Sequence, residues 1–316
     1  MLVALLGMSF LTFILTNLAP GDPVRTMYAS TGVMPDEEMI QKTREEMGLN
    51  RPIPVQYLNW LTDCLKGDFG TSYSFGKPVG ELLLSRLLPT VKLTLLSLVF
   101  MLAFSVPLGM AAAVYQNKWP DVLVRIVTFF GVSMPNFWVG LLLLLVFAVK
   151  LAWFPVLSSG GDLKSMVLPA ATLAFAMTAK YTRQVRTAVL EELNQDYVTG
   201  ARALGMKESR ILWKNVFPNA LLPLITMLGL SLGSLLGGTA VVEVIFSCPG
   251  LGNLAVSAIM KYDYPLIQGY VLWVSLMYML INWLVDIFCS LLDPRTRESA
   301  SVERCVHGKG EMHEKV

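Results

Sequence analysis

Ionisable side chains inside apolar stretches are the residues whose position most suggests chemistry. Asp286 lies in the last apolar stretch with Asn282 one helical turn earlier, and Glu243 lies near the end of the preceding one. Because a charged group is costly in hydrocarbon, such residues usually face a bundle interior or a water path. Asn282 and Asp286 therefore predict either a site on a transport pathway or a structural hydrogen bond between helices, and both interpretations stay open.

Catalytic and nucleotide-binding patterns are missing from the sequence. No GxxxxGK[ST] loop occurs, since Gly76-Lys77 is followed by proline and Gly308-Lys309 by glycine, so no loop would hold the phosphates of ATP. No His-Glu-x-x-His, membrane Ser/His pair or carboxylate dyad supplies a general base. We therefore expect no enzyme, no metal site and no cofactor bound by this chain, with any ATP and Mg²⁺ held by partner subunits.

The elements that must position these residues are membrane helices. Of the 316 residues, 54% are hydrophobic and 15% charged, against about 25% charged in soluble chains. The net charge of +2 gives no reason to expect a nucleic-acid partner. The apolar residues occur in stretches about as long as a bilayer is thick, which predicts an all-α polytopic membrane protein with six transmembrane helices. These stretches are 2–18, 91–115, 126–152, 166–186, 219–245 and 266–292, with Pro107 and Pro135 interrupting two of them.

Four regions follow from this pattern. Residues 1–20 form a first transmembrane helix, which we expect to be preceded by basic residues rather than to be a cleaved signal peptide. Residues 21–90 form a small extracytoplasmic segment, residues 91–292 a five-helix core with a charged loop at 187–217, and residues 293–316 a tail. In 21–90, acids after Pro35 start a helix that ends near Gly48, a second helix carries Tyr57 and Trp60, and residues 67–70 form a turn.

Lysine and arginine are concentrated on one side of the predicted membrane. That side includes Lys118, Arg125, the 187–217 loop and the tail, whereas the short loops opposite contain only Lys164 and Lys261. Since cytoplasmic loops carry the excess of Lys and Arg, both termini and the 187–217 loop are predicted to be cytoplasmic. Residues 21–90 and 246–265 are then outside.

Cysteine and glycine positions indicate packing. The four cysteines (Cys64, Cys248, Cys289 and Cys305) follow no disulfide or metal spacing and are interpreted as free thiols, although Cys64 and Cys248 share the outer side. The two histidines, His307 and His313, lie in the polar tail. Glycines at four-residue spacing in the 219–245 stretch predict either an internal packing face, where a neighbouring helix approaches closely, or a face that lines the pathway or contacts another subunit. They are Gly229, Gly233 and Gly237.

Residues 195–218 (QDYVTGARALGMKESRILWKNVFP) combine charges with small residues. The charges keep the segment out of lipid, and Gly and Ala allow another protein to approach its backbone. A short helix, a break at Gly205 and a second, basic helix would make a docking element, while an ordinary solvated loop is the alternative.

This segment resembles the "EAA" loop of permease subunits of binding-protein-dependent ABC importers. Thr199-Gly200-Ala201, then Gly205, then nine residues and Asn215-Val216-Phe217-Pro218 follow the family spacing of Glu-Ala-Ala, Gly and Ile-x-Leu-Pro. The chain departs from that pattern at positions 199, 200, 215 and 217. The resemblance implies that Thr199, Gly200, Ala201, Arg202, Ala203, Gly205 and Pro218 couple the chain to a cytoplasmic ATPase.

Other segments resemble the oligopeptide, dipeptide and nickel branch of this family in the same order along the chain. Residues 246–252 (FSCPGLG) resemble its Phe-Ser-Trp-Pro-Gly-Leu-Gly, with Cys248 in place of Trp, and place Pro249 and Gly250 beside Glu243 at the outer mouth. Segments 19–23, 48–57, 67–70, 263–265 and 293–295 match as well.

The resemblance implies a permease subunit in a bacterial inner membrane. Its expected partners are a second homologous permease, two cytoplasmic ATPases, an extracytoplasmic solute-binding protein and membrane lipid. Residues 131–138 (GVSMPNFW) look most like the nickel branch, so nickel or a nickel chelate is the expected solute, with di- or oligopeptides as the alternative. A secondary transporter or channel that works alone is the alternative function, although no internal repeat supports it.

Overall fold

Helices are the regular elements of the part of the chain that the structure describes. This structure, a computed structural model, describes residues 2–18, 22–31, 35–158 and 161–292. In chain order the helices are α1 (Leu2–Leu18), α2 (Pro23–Thr31), α3 (Glu37–Glu46), α4 (Ile53–Leu65), α5 (Val79–Val114), α6 (Trp119–Ser133), α7 (Asn136–Leu143), α8 (Leu163–Leu193), α9 (Asp196–Ala203), α10 (Glu208–Ile211), α11 (Phe217–Gly238), α12 (Ala240–Ile245), α13 (Leu251–Met260) and α14 (Tyr264–Leu292). Helices α7 and α10 continue as π-helical turns over Leu144–Lys150 and Leu212–Val216. The predicted all-α class is confirmed.

Some of these helices are long and apolar enough to cross a bilayer. Within the described residues, α5 and the Tyr264–Ile287 part of α14 meet that requirement by themselves. The number rises to four if two bent pairs each count as one span, namely Trp119–Ser133 with Asn136–Lys150 and Glu208–Leu221 with Leu224–Gly233. These helices fit the predicted polytopic membrane protein, while the count of six spans stays a prediction.

The predicted span 126–152 is not one helix. Helix α6 ends at Ser133 and α7 begins at Asn136, with Pro135 before it in an extended conformation (φ −63°, ψ 136°). Proline lacks an amide hydrogen and disfavours helical geometry in the residue that precedes it, which accounts for the break. By contrast, α5 runs past Pro107 to Val114. Only one of the two predicted interruptions therefore breaks a helix.

The helices and the turn predicted between residues 21 and 90 are present. The side chain of Asp36 accepts a hydrogen bond from the first turn of α3, as a helix cap does. Tyr57 of α4 packs against Phe13 of α1, with ring centroids 5.5 Å apart. The Asp68 carboxylate accepts a hydrogen bond from the amide of Gly70 and closes the turn.

Two compact units make up the chain. The first unit comprises Met1–Met101, Ser133–Met177 and Ser234–Met279, and the second comprises Leu102–Val132, Thr178–Gly233 and Leu280–Val316. The first unit contains two buried apolar clusters, and the second contains one that surrounds α9. The predicted tail at 293–316 and its Asp293-Pro294-Arg295 exit lie outside the described residues.

Candidate functional site

The charged loop of the second unit has the predicted helix–break–helix form. Helix α9 ends where the amide of Leu204 donates to the carbonyl of Gly200, and Gly205 follows in the left-handed region (φ 74°). Because that region is strained for residues with a side chain, the glycine allows the sharp turn into α10. After α10 and its π-helical turn, Pro218 is exposed in the first turn of α11.

Helix α9 has one buried face and one exposed face. Val198 and the predicted coupling residue Ala201 are buried, whereas the other predicted coupling residues on and after α9 are exposed. These exposed residues are Thr199, Gly200, Arg202, Ala203 and Gly205. Ala201 therefore lets α9 pack on its own chain and does not belong to the exposed surface. A bulky residue at Ala201 would disturb the loop itself before it affected any partner.

An ion pair spans the break between α9 and α10. The Arg202 guanidinium donates to both carboxylate oxygens of Glu208, at 2.7 and 3.3 Å. These hydrogen bonds raise the pKa of Arg202 and lower the pKa of the Glu208 carboxyl group. Both side chains are exposed, so the pair fixes geometry and contributes little to stability.

An exposed leucine at this break was not singled out from the sequence. Leu204 is 84% exposed, and it lies between the exposed Ala203 and Gly205. A leucine directly before the helix-ending glycine is the signal that could have identified it.

The buried face of α9 belongs to an apolar cluster that joins four parts of the second unit. The end of α5, the second half of α8, α9, and the segment from α10 to α11 all contribute to it. Its buried members are Met110, Ala113, Val185, Ala188, Val189, Val198, Ala201, Ile211, Val216, Ala220 and Leu224. Helix α9 is therefore packed directly against α5, α8 and α11.

A buried ion pair lies in the same unit. Arg186 of α8 donates from Nε to Oδ1 of Asp121 at 2.7 Å and from Nη2 to Oδ2 at 2.8 Å. Oδ2 also accepts from the amide of Asn117, and Arg125 lies 3.4 Å from Oδ1. Asp121, in the first turn of α6, is fully buried, and sequence reasoning missed it. An acidic residue in the first turn of a helix beside an apolar stretch is the signal that could have found it.

In the first unit, the predicted gate candidate Glu243 is fully buried and belongs to a hydrogen-bond network. One carboxylate oxygen accepts from the hydroxyl of Thr90 at 2.8 Å, and the other accepts from the amide of Asn253 at 2.9 Å. The Thr90 hydroxyl oxygen also accepts from the amide of Leu251. Glu243 thus ties α5 to the start of α13.

Gly250 packs directly against the Glu243 carboxylate, which its lack of a side chain makes possible. A Cβ atom at position 250 would lie 2.3 Å from the Glu243 carboxylate, so any larger residue there would require that carboxylate to move. Pro249 beside it is partly exposed. The two predicted gate residues Glu243 and Gly250 are therefore in contact, and the contact stabilises the turn that follows α12.

Cys248, which stands where the family pattern has Trp, is fully buried in an apolar cluster of the first unit. Burial raises the pKa of its thiol. Cys64, also a free thiol, has a pKa raised to about 12 by burial. The interpretation of these two residues as free thiols is confirmed, and the side chains of Cys289 and Cys305 lie outside the described part.

The predicted glycine and amide positions of the last two apolar stretches lie on α11 and α14. A Cβ atom on Gly229 would lie 2.0 Å from a methyl group of Val285, so α11 and α14 approach closely there. Gly233 is buried, and Gly237 lies on the same helix. Asp286 is exposed on α14.

Asn282, one turn earlier on α14, is partly buried, and its amide oxygen is without a hydrogen-bond partner among the described residues. A buried amide oxygen left without a donor is costly. This position leaves open the two predicted roles, a pathway residue or a contact with another helix.

A second buried carboxylate of the first unit was part of a family segment but had no predicted role. Asp263 accepts hydrogen bonds from the hydroxyl of Ser72 at 2.5 Å, the amide of Ser74 at 2.9 Å and the amide of Tyr73 at 3.2 Å. It precedes α14 and fixes the turn before α5. Within the described residues, no group of three or more His, Cys, Asp or Glu side chains could hold a metal ion.

Long apolar helices and a two-helix polar loop with one buried face fit a helical membrane protein. The family model described as "Binding-protein-dependent transport system inner membrane component" matches residues 105–298. The model of the N-terminal part of this membrane component matches residues 1–94. The chain belongs to this family of binding-protein-dependent transport permeases. Membership confirms the family inferred from the loop, and such permeases work with ATPase and binding-protein partners.

Two relatives cover almost the whole chain. The chain is 39% identical over 293 residues to the "Glutathione transport system permease protein GsiC" of Salmonella typhimurium, covering 93% of this chain and 94% of the relative. It is 37% identical over 289 residues to the protein of the same name from Escherichia coli K12, covering 92% and 93%.

A solved structure has the same fold. The inward-facing MetNI methionine ABC transporter matches with a TM-score of 0.58 at 19% identity, covering 67% of this chain and 96% of that one. At this identity the match concerns the fold alone.

Proposed function

We propose that this chain forms half of the translocation pathway of an ATP-driven importer of short peptides of the glutathione type. A second homologous permease, two cytoplasmic ATPases and a solute-binding protein complete the assembly. The observation that carries the proposal is the loop of the second unit, in which α9 is held by its buried face while its small and charged residues remain exposed. Full-length similarity to glutathione permeases supports the solute class.

The exposed face of α9 is the docking surface for the ATPase in this proposal. Gly200 has open space around it, because a Cβ atom there would meet nothing within 4 Å. Arg202 supplies a charge whose direction is fixed by Glu208. Leu204 supplies an apolar side chain that would be buried by a partner, a change worth about 1.5–3 kcal/mol for a leucine.

Substitution of Gly200 tests docking without disturbing the fold. Gly200→Leu fits the isolated chain and improves helix propensity, but its side chain would fill the space that a partner must enter. We expect the variant to insert and melt normally while the ATPase no longer co-purifies and uptake stops. Gly200→Ala is the control and should behave like the wild type. Normal uptake by Gly200→Leu would show that α9 does not dock.

The solute is tested in proteoliposomes that contain the chain, its partners and the cognate binding protein. Radiolabelled glutathione, a labelled dipeptide and nickel are compared at equal concentration. The proposal expects ATP-dependent uptake of glutathione or the dipeptide. Nickel uptake without peptide uptake would instead favour the solute suggested by residues 131–138.

Energy coupling is tested in the same vesicles without the ATPase subunits. No uptake is expected, because this chain has no GxxxxGK[ST] loop to bind ATP. Transport by the chain alone would favour a secondary transporter or channel.

A further inference from the structure

The apolar cluster around α9 does not extend to α6. Its buried members and the partly buried residues packed on it come from α5, α8, and the stretch from α9 to α11. Within the described residues of the second unit, α6 contributes none of them. The cluster therefore leads from α9 to α6 only by way of α5 and the turn at residues 115–118.

The ion pair between Asp121 and Arg186 supplies another connection. Asp121 lies in the first turn of α6 and Arg186 in the second half of α8, one residue after Val185 of the cluster. Both nitrogens of the guanidinium fork bond to the carboxylate, at 2.7 and 2.8 Å, which fixes the orientation of both side chains. Asp121 is 0% exposed and the Arg186 side chain 18%, so solvent screens the pair weakly.

The same carboxylate also fixes the turn between α5 and α6. It accepts a hydrogen bond from the amide of Asn117 at 2.9 Å, and Asn117 has a left-handed backbone (φ 61°). The Asp121 carboxylate thus joins the start of α6 to α8 and to the turn that follows α5. A shift of α8 pulls on Asp121 and, through it, on the turn at Asn117.

We propose that Asp121 and Arg186 are positioning residues that transmit the movement of the coupling loop from α8 to α6. This inference rests on the proposed function, since it requires that α9 receives force from an ATPase. The pair contacts neither solute nor nucleotide in this role. Its effect is on the number of solute molecules moved per ATP hydrolysed.

The test compares Asp121→Asn and Arg186→Lys in the complete transporter with its binding protein. We expect both variants to retain the ATPase subunits and to hydrolyse ATP, because the exposed face of α9 is unchanged. Solute imported per ATP should fall about 3- to 30-fold, the range for substitutions that alter coupling between sites. Arg186→Lys keeps the charge but loses the planar fork. The amount of solute imported per ATP should therefore fall less in this variant than in Asp121→Asn.

A spectroscopic measurement separates transmission from a general loss of structure. Spin labels are placed at the exposed positions Leu123 of α6 and Thr187 of α8. In the wild type the distance between them should stay constant between nucleotide-free and ATP-trapped states, because the helices move together. In Asp121→Asn it should change with nucleotide. Constant distances in both proteins would overturn the proposal.

Arg125→Gln is the matched control. Arg125 is half exposed and lies 3.4 Å from the same carboxylate, so its loss should leave coupling nearly normal. If Asp121→Asn does not assemble, the decision rests on Arg186→Lys, and normal coupling in that variant would refute transmission. Failure of docking itself is recognised separately, because Gly200→Leu would then transport normally. Loss of transport in Gly200→Leu with normal coupling in the ion-pair variants refutes only the role of Asp121 and Arg186.

Discussion

Replacement of Glu243 by glutamine decides whether this residue stabilises a turn or acts on the transport path. The substitution preserves the shape of the side chain but replaces one carboxylate oxygen with an amide NH2 group, which donates hydrogen bonds and does not accept them. If the carbonyl faces the Thr90 hydroxyl, the amino group faces the amide of Asn253, which has lost its acceptor. A hydrogen bond to a charged group contributes about 1.5–3 kcal/mol, so we expect the free energy of unfolding to fall by roughly 2 kcal/mol.

That loss is measurable by thermal unfolding of the purified protein in detergent. Domains of 150–250 residues shift by about 2–4 °C per kcal/mol, which gives a melting temperature lower by roughly 4–8 °C. Glu46→Gln, at an exposed position of α3, is the control and should change little. If Glu243→Gln melts like the wild type but abolishes uptake, the carboxylate acts on the pathway and the structural role is refuted.

Three further substitutions test contacts of the described residues. Asp263→Asn should loosen the turn before α5 by about 1–3 kcal/mol because an amino group replaces an acceptor, and faster hydrogen exchange of the amides at 73 and 74 would show it. Gly229→Ala should lower the melting temperature because its Cβ atom would clash with Val285, whereas Gly200→Ala, in open space, should not. Cys248→Trp should overpack a fully buried position and reduce the yield of folded protein, and a normal yield would show that the cluster can rearrange around the family residue.

Local patterns in the sequence were sufficient to predict helical segments and the helix–break–helix form of residues 195–218. The acids that follow Pro35, the glycine at 205 and the small residues around 200 act through the backbone of their own neighbours, so their effect can be inferred without the fold. The same holds for the close approach at Gly229, because a small side chain on an apolar helix needs a neighbour to fill the space.

The side of α9 on which each residue lies could not be predicted as well. Ala201 and Ala203 have the same side chain and are two residues apart, yet the first is buried and the second is exposed. Which face is buried depends on the apolar cluster formed by α5, α8 and α11, whose residues are distant in sequence. The family pattern names the position of Ala201 but does not say whether it contacts the partner or the chain itself.

The buried carboxylates were the hardest to interpret, and the structure shows why they share one role. Asp121, Glu243 and Asp263 are each fully buried, and each accepts a hydrogen bond from a backbone amide in a turn or at the start of a helix. The partners that complete each group lie 65, 153 and 191 residues away, at Arg186, Thr90 and Ser72. A carboxylate with several donors holds an irregular turn in place where few waters could satisfy the amides. These three buried carboxylates therefore hold the segments that join helices, whereas the pathway role of Asp286, which is exposed on α14, stays a prediction.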